Sequence, residues 1–267
     1  MITIGFSSHR AEPIPFACKI MEQHQIVVLK GPTHPKFSGS TISSKRIFNM
    51  LNPSKVMESI YVILNQKLLP DQIKRLQQQI EFMMEIDKLK TISRKTILTD
   101  RSREENSAEH SWHIAMAVFL FSEYAQNQDI DLYRVIKMLL VHDLVEIDAG
   151  DTYCYDDQGR QDQARREQNA AERIFKILPP DQSRSFRALW NEFENRDTPE
   201  SKYANALDRI QPFLQNYFTE GQVWRENNIT GCQVKDRMQP VVDGAPVLWN
   251  LVSLLIDDAI QKNYLAG

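Results

Sequence analysis

The chain has 267 residues, 42% of them hydrophobic, and a formal net charge of −3, which allows one large domain or a domain with an appendage and excludes a general attraction to nucleic-acid polymers or anionic membranes. Nine glycines, roughly half the usual frequency, favour long helices over a turn-rich β architecture. Cys18, Cys154 and Cys232 lie far apart with no zinc-ribbon spacing, and no apolar run is long enough for a membrane span, so a cytoplasmic protein with reduced thiols is expected.

Residues 1–66 read as a separate segment. MITIGF and QIVVL have the pattern of two short strands around a helix, PIPFACKIMEQH, giving a β-α-β beginning. GPTHPKFSGSTISSK is rich in Gly, Pro, Ser and Thr and lacks the Gly-Lys-Ser/Thr ending of a P-loop, which makes it a linker. His9, His24 and His34 show no ligand-like spacing.

From Asp71 onward the reading is helical, beginning with DQIKRLQQQIEFMMEIDKL. Lys88, Lys90, Arg94, Lys95, Arg101 and Arg103 then place six basic residues within 16 positions. Such a run forms a solvated helix face or supplies one or two cations to clamp a phosphate. WHIAMAVFLFSEYA, apolar on nearly every face, predicts a buried helix opened by His110. Leu132, Val135, Ile136, Leu139 and Leu140 predict a second helix, closed by His142-Asp143. Packed antiparallel through a short polar connection, the two bring His110 beside His142 and Asp143 across 32 residues of sequence.

Two imidazoles and a carboxylate suit a borderline or hard divalent cation, and three protein ligands leave positions open for water and substrate. The carboxylates of LLVHDLVEIDAGD stand among apolar neighbours and need a partner, since an unpaired buried charge is expensive. His113, three residues from His110, is left outside the ligand set as a packed or hydrogen-bonded histidine. QARREQNAAERIFKIL and DQSRSFRALWNEFEN are further helices separated by Pro179-Pro180. Thr198-Pro199-Glu200 starts another, in which Pro212 predicts a kink. VLWNLVSLLIDDAI closes either the core or an oligomer interface, such as a homodimer.

REENSAEHSW, MLLVHDLVEIDAGD and ANALDRIQP resemble the HD-domain metal-dependent phosphohydrolases, in the branch that includes 5'-deoxynucleotidases. The likeness covers about 190 residues, Asp71 to Tyr264. It implies a mainly α helical-bundle domain over 67–267 that carries the short N-terminal α/β-like appendage. It also implies one divalent ion (Mn, Co, Zn, Mg or Fe, the identity left open) on His110, His142, Asp143 and Asp208, and two acidic residues after the His-Asp pair, here Glu146 and Asp151. Glu146, four residues past His142, is expected to orient or deprotonate the attacking water. Asp151 is expected to assist the leaving oxygen or bind the sugar, and these two roles are interchangeable. An Arg-Trp pair of the family falls on Lys95-Thr96 here, a departure that gives the arginine's role to adjacent Arg94. Lys95, Arg101 and Arg103 complete the substrate-binding candidates.

The function these readings converge on is hydrolysis of a small phosphate monoester, a nucleoside 5'-monophosphate. HD folds that cleave other nucleotide esters, and a non-catalytic nucleotide-binding module, are the alternatives.

Overall fold

The computed structural model describes residue 60 and residues 68–267. The β-α-β segment and linker expected over 1–66 lie outside the described residues. Helix α1 (Pro70–Ile86) starts on a proline, which fits the first turn, and buries Ile73 and Phe82. A 3₁₀ turn, Asp87–Thr91, buries Leu89.

The basic cluster departs from the helical expectation, because Ser93–Ile97 (β1) and Glu104–Asn106 (β2) pair as an antiparallel hairpin. β-Branched Ile92, Thr96 and Ile97 favour extended backbone. Asp100 Oδ1 accepts from Ser102 N at 3.0 Å to close the turn. Arg101 sits in that turn with a left-handed φ of 61°.

The hairpin delivers the chain into α2 (Ser107–Phe121). Asn106 Oδ1 accepts from Glu109 N at 3.0 Å and the Glu109 carboxylate accepts from Asn106 N at 3.2 Å, a reciprocal cap that fixes the first turn. His110 lies in that turn. Helix α3 (Leu132–Val141), capped by Asp131, buries Val135, Met138 and Leu139. It passes into a 3₁₀ turn, His142–Val145, and one α-helical turn, α4 (Glu146–Ala149), ended by Gly150 at φ 75°. The left-handed value favours glycine there. Helices α2 and α3 pack together, and the His110 and His142 ring centroids are 5.7 Å apart.

The loop after Gly150 leads through α5 (Asp157–Arg160) into α6 (Gln163–Phe175). Arg166 braces it. The guanidinium donates to Asp162 Oδ1 at 2.8 Å, Thr152 Oγ1 at 3.1 Å, the Gly159 carbonyl at 2.9 Å and the Ala149 carbonyl. Helix α7 (Pro180–Asn195) ends on Arg196 at a left-handed φ of 56°.

Helix α8 (Pro199–Phe218) is the spine, packed on α2, α3 and α7. Thr198 caps it, with Oγ1 accepting from Ser201 N at 3.1 Å. Buried residues surround its circumference: Tyr203, Ala204, Leu207 and Ile210 are joined by polar Asp208, Arg209 and Gln211. Pro212 does not end the helix, which continues to Phe218. With no N–H, Pro212 leaves the Asp208 carbonyl without its helical donor.

Helices α9 (Gln222–Glu226), α10 (Gly231–Arg237), α11 (Pro240–Gly244) and α12 (Pro246–Gln261) complete the described chain. Leu248, Val252, Ile256 and Ala259 turn α12 to the core, while Val247, Leu251 and Leu254 are exposed. Among the described residues no helix is long and apolar enough to cross a membrane.

Helix α11 meets α8 at Gly244, where a Cβ would run into the Lys202 carbonyl and lie 2.8 Å from the Ala206 Cβ. Gly244→Ala is therefore expected to destabilise the domain by about 1–3 kcal/mol through overpacking. Urea denaturation of parent and variant checks this, and an unchanged midpoint would show that the two helices separate freely.

Candidate metal centre

His110 projects from the first turn of α2, His142 and Asp143 from the turn that ends α3, and Asp208 from the middle of α8. One donor atom from each of His110, His142 and Asp143 lies within 4.8 Å of the others. Asp208 stands beside this trio, its Oδ1 2.9 Å from His110 Nε2 and 3.6 Å from His142 Nε2. Asp143 Oδ1 is 2.9 Å from His142 Nε2. All four residues are buried.

The outward hydrogen bonds of the two rings fix their tautomers. His142 Nδ1 lies 2.8 Å from the Leu139 carbonyl, which can only accept, so Nδ1 carries the proton. His110 Nδ1 lies 2.8 Å from Gln211 Oε1. That amide is oriented by its other end, since Gln211 Nε2 donates to Glu105 Oε1 at 2.8 Å. Glu105, 2% exposed, also accepts from Gln215 Nε2 at 2.9 Å. Both Nε2 atoms therefore present lone pairs toward carboxylate oxygens. His142 Nε2 is buried without a hydrogen-bond partner among the described residues.

Ring nitrogen facing carboxylate oxygen at such distances calls for positive charge between them, a proton or a metal ion. Burial alone would lower the His142 pKa, but the carboxylates of Asp143 and Asp208 outweigh it and raise it well above the usual value. Burial likewise works to raise Asp143, yet His142 and Arg94 hold it down at about 2. Asp208 is also held well below its usual range, by Arg209, His110 and His142 acting against burial. Two imidazoles whose Nε2 atoms can exchange a proton for an ion, beside two ionised carboxylates, are the donor set a divalent metal takes. The residues present fit the ion.

A cavity of about 360 Å³ opens here, lined by His142, Asp143, Glu146, Asp151, Arg94 and Lys95 among others. Burial and the neighbouring charge of Asp143 push Glu146 well above the usual carboxylate range, and Ser107 Oγ donates to its Oε2 at 2.5 Å. Asp151 is raised for the same reasons, with Arg94 opposing. Arg94 Nη1 lies 3.1 Å from Asp143 Oδ2, 3.5 Å from Asp151 Oδ1 and 4.0 Å from Glu146 Oε1.

Of the remaining basic candidates, Lys95 lines the cavity and the other two do not. Arg101 pairs with Glu220 at 3.1 Å, and Arg103 pairs with Glu109 at 2.6 Å, where it steadies the cap of α2. His113 lies outside the ligand group, its Nδ1 accepting from Gln211 Nε2 at 3.1 Å. The sequence reading did not find Glu105 and Gln211, or the cavity arginines Arg160, Arg196, Arg209 and Arg237. Glu105, Arg209 and Gln211 do fall inside the REENSAEHSW and ANALDRIQP stretches, whereas Arg160, Arg196 and Arg237 carry no such signal. Cys154 also lines the cavity, and burial pushes its thiol up.

The HD-domain family profile matches residues 86–249. The chain is 27% identical over 137 residues to the 5'-deoxynucleotidase HDDC2 of Homo sapiens, a match covering 51% of this chain and 65% of the human protein. It is 30% identical over 149 residues to the 5'-deoxynucleotidase HDDC2 of Dictyostelium discoideum, covering 54% and 78%. The crystal structure of a predicted metal-dependent phosphohydrolase from Magnetospirillum magnetotacticum MS-1 superposes with a TM-score of 0.69 at 47% identity, over 73% of this chain and all of that one.

The hydrogen-bonded chain from Glu105 through Gln211 to His110 generates a prediction. Gln211→Leu removes the acceptor that sets the His110 tautomer, and metal affinity is expected to fall about 10–100-fold. Isothermal titration of the chelator-treated protein with Mn or Zn measures it. Unchanged affinity in a folded variant would show that His110 is oriented by something else.

Proposed function

The chain belongs to the HD-domain family, and from that premise we propose that it is a divalent-metal-dependent phosphohydrolase releasing phosphate from a nucleoside 5'-monophosphate. The observation that carries this reading is the pair of imidazole Nε2 atoms facing carboxylates beside a cavity lined by His142, Asp143, Asp208, Glu146 and Asp151. The activities in the names of the relatives, 5'-deoxynucleotidase and metal-dependent phosphohydrolase, support it. The catalytic unit is proposed to be residues 67–267.

In this reading His110, His142, Asp143 and Asp208 hold the ion. When bound, a divalent ion supplies Lewis-acid polarisation of the phosphoryl oxygens and a lower pKa for the attacking water. Glu146 accepts the proton of that water as its oxygen bonds to phosphorus. Burial and Asp143 raise the carboxylate well above the ordinary glutamate range, which makes it a stronger base. Asp151, also raised, gives a proton to the 5'-oxygen as the phosphorus–oxygen ester bond breaks. Arg94 stands half-buried at the junction of Asp143, Glu146 and Asp151, so its guanidinium can bind the phosphoryl oxygens while balancing those acids. Lys95 adds a second cation. Tyr153, half-buried on the cavity wall, offers an aromatic side chain to a nucleobase.

The test is a phosphate-release assay on several nucleoside 5'-monophosphates with Mn, Co, Mg or Zn, in which chelator is expected to abolish release. Failure of every nucleotide with every metal would remove the reading. In Glu146→Gln, turnover should fall by about 10²–10⁴ with metal content retained. Because Glu146 acts only when deprotonated, the parent should lose activity as pH falls through its raised pKa, on a limb above the ordinary value of 4.5. That limb should vanish in the variant, and near-normal turnover would assign the proton transfer to another group.

A chain beginning at Lys67 contains every proposed ligand and acid. It is expected to be helical by far-UV dichroism, to bind metal and to turn over. A helical, metal-loaded but inactive truncation would place part of the active unit in residues 1–66.

A further inference from the structure

A second cavity of about 360 Å³ is bounded by Arg160, Arg196, Arg209 and Arg237. All four also line the first cavity, but His142, Asp143 and Asp208 do not line the second. It therefore adjoins the metal centre without containing it. Its carboxylates are Asp157 and Asp236, so guanidinium outnumbers carboxylate four to two. Among the described residues, neither acid forms an ion pair with any of the four, and the one ion pair any of them makes is Arg209 with Asp208.

Arg209 is 7% exposed, and its Nε is buried with no hydrogen-bond partner. A fixed charge buried with an unused donor is costly unless a ligand completes it. Arg160 spends one N–H on the Cys154 carbonyl at 3.5 Å. Arg196 holds its left-handed φ of 56° at the end of α7, where glycine would sit without strain.

Planar guanidinium forks match phosphate oxygens two at a time. We propose that this arginine-lined cavity binds a second phosphate group, apart from the one hydrolysed. The proposal rests on the phosphohydrolase reading for the first phosphate. The second belongs either to the same nucleotide, as in a nucleoside 3',5'-bisphosphate, or to free inorganic phosphate bound alongside.

Binding is measured on the metal-loaded full chain carrying Glu146→Gln, so that turnover is slow, with adenosine 5'-monophosphate and adenosine 3',5'-bisphosphate. The bisphosphate is expected to bind at least about tenfold more tightly, and adding Arg237→Gln should bring the two affinities within about twofold. Arg160→Gln, at an exposed position, provides a second variant with little risk to folding and should narrow the same ratio. Equal affinities, combined with a second inorganic phosphate bound beside the monophosphate and lost in Arg237→Gln, would support the free-anion source. Equal affinities with no second phosphate bound would overturn the proposal. A parent that releases phosphate from neither nucleotide, yet keeps the binding ratio, would refute the phosphohydrolase reading and leave the anion site standing.

Discussion

Two imidazole lone pairs aimed at carboxylate oxygens are the constraint on which the rest of this structure depends. The Leu139 carbonyl and the Gln211 amide take the Nδ1 protons of His142 and His110, so neither ring can relieve the opposition by switching tautomer. The helices must then be held accurately enough to keep each Nε2 about 3 Å from a carboxylate oxygen. The reciprocal cap of α2, the change to 3₁₀ geometry at the end of α3 and the buried polar face of α8 all serve that placement. Glu105 extends it to the hairpin, because its carboxylate anchors both Gln211 and Gln215.

The same few ångströms contain carboxylates with opposite tendencies. Asp143 and Asp208 are held ionised by histidine and arginine neighbours, while Glu146 and Asp151 are driven toward the neutral form by burial and by Asp143. Side chains of one chemical type are thus divided by their surroundings into a pair held ionised and a pair driven toward the neutral form. Arg94 sits at the boundary, its guanidinium near members of both groups.

The centre was legible in sequence because its carriers are local motifs among apolar neighbours. His110 opens an apolar helix, and His142-Asp143 closes another. Thr198-Pro199 announces the start of α8. The hairpin was not legible as such, since Lys95, Arg101 and Arg103 read as a charged helix face and only the pairing of Ser93–Ile97 with Glu104–Asn106 reveals the β-branched signal beneath. That geometry separates Arg94 from Arg101 and Arg103, which periodicity alone could not do. Arg160, Arg196, Arg209 and Arg237 come from four elements and share no spacing. Glu105 and Gln211 are linked by a hydrogen bond across 106 positions. Tertiary relations of that kind leave no periodic trace in a chain.

The brace made by Arg166 bears on how tightly a ligand can be held. The loop between Gly150 and Asp156 carries Asp151, Tyr153 and Cys154 into the cavity, and ordering a free loop of that length would cost on the order of 1–2 kcal/mol per residue in backbone entropy. One guanidinium already ties its start at Ala149, its interior at Thr152 and the following helix at Gly159. Much of that entropy is surrendered when the chain folds, so it is not subtracted from the free energy of each association event. The loop stands as a preorganised wall of the cavity.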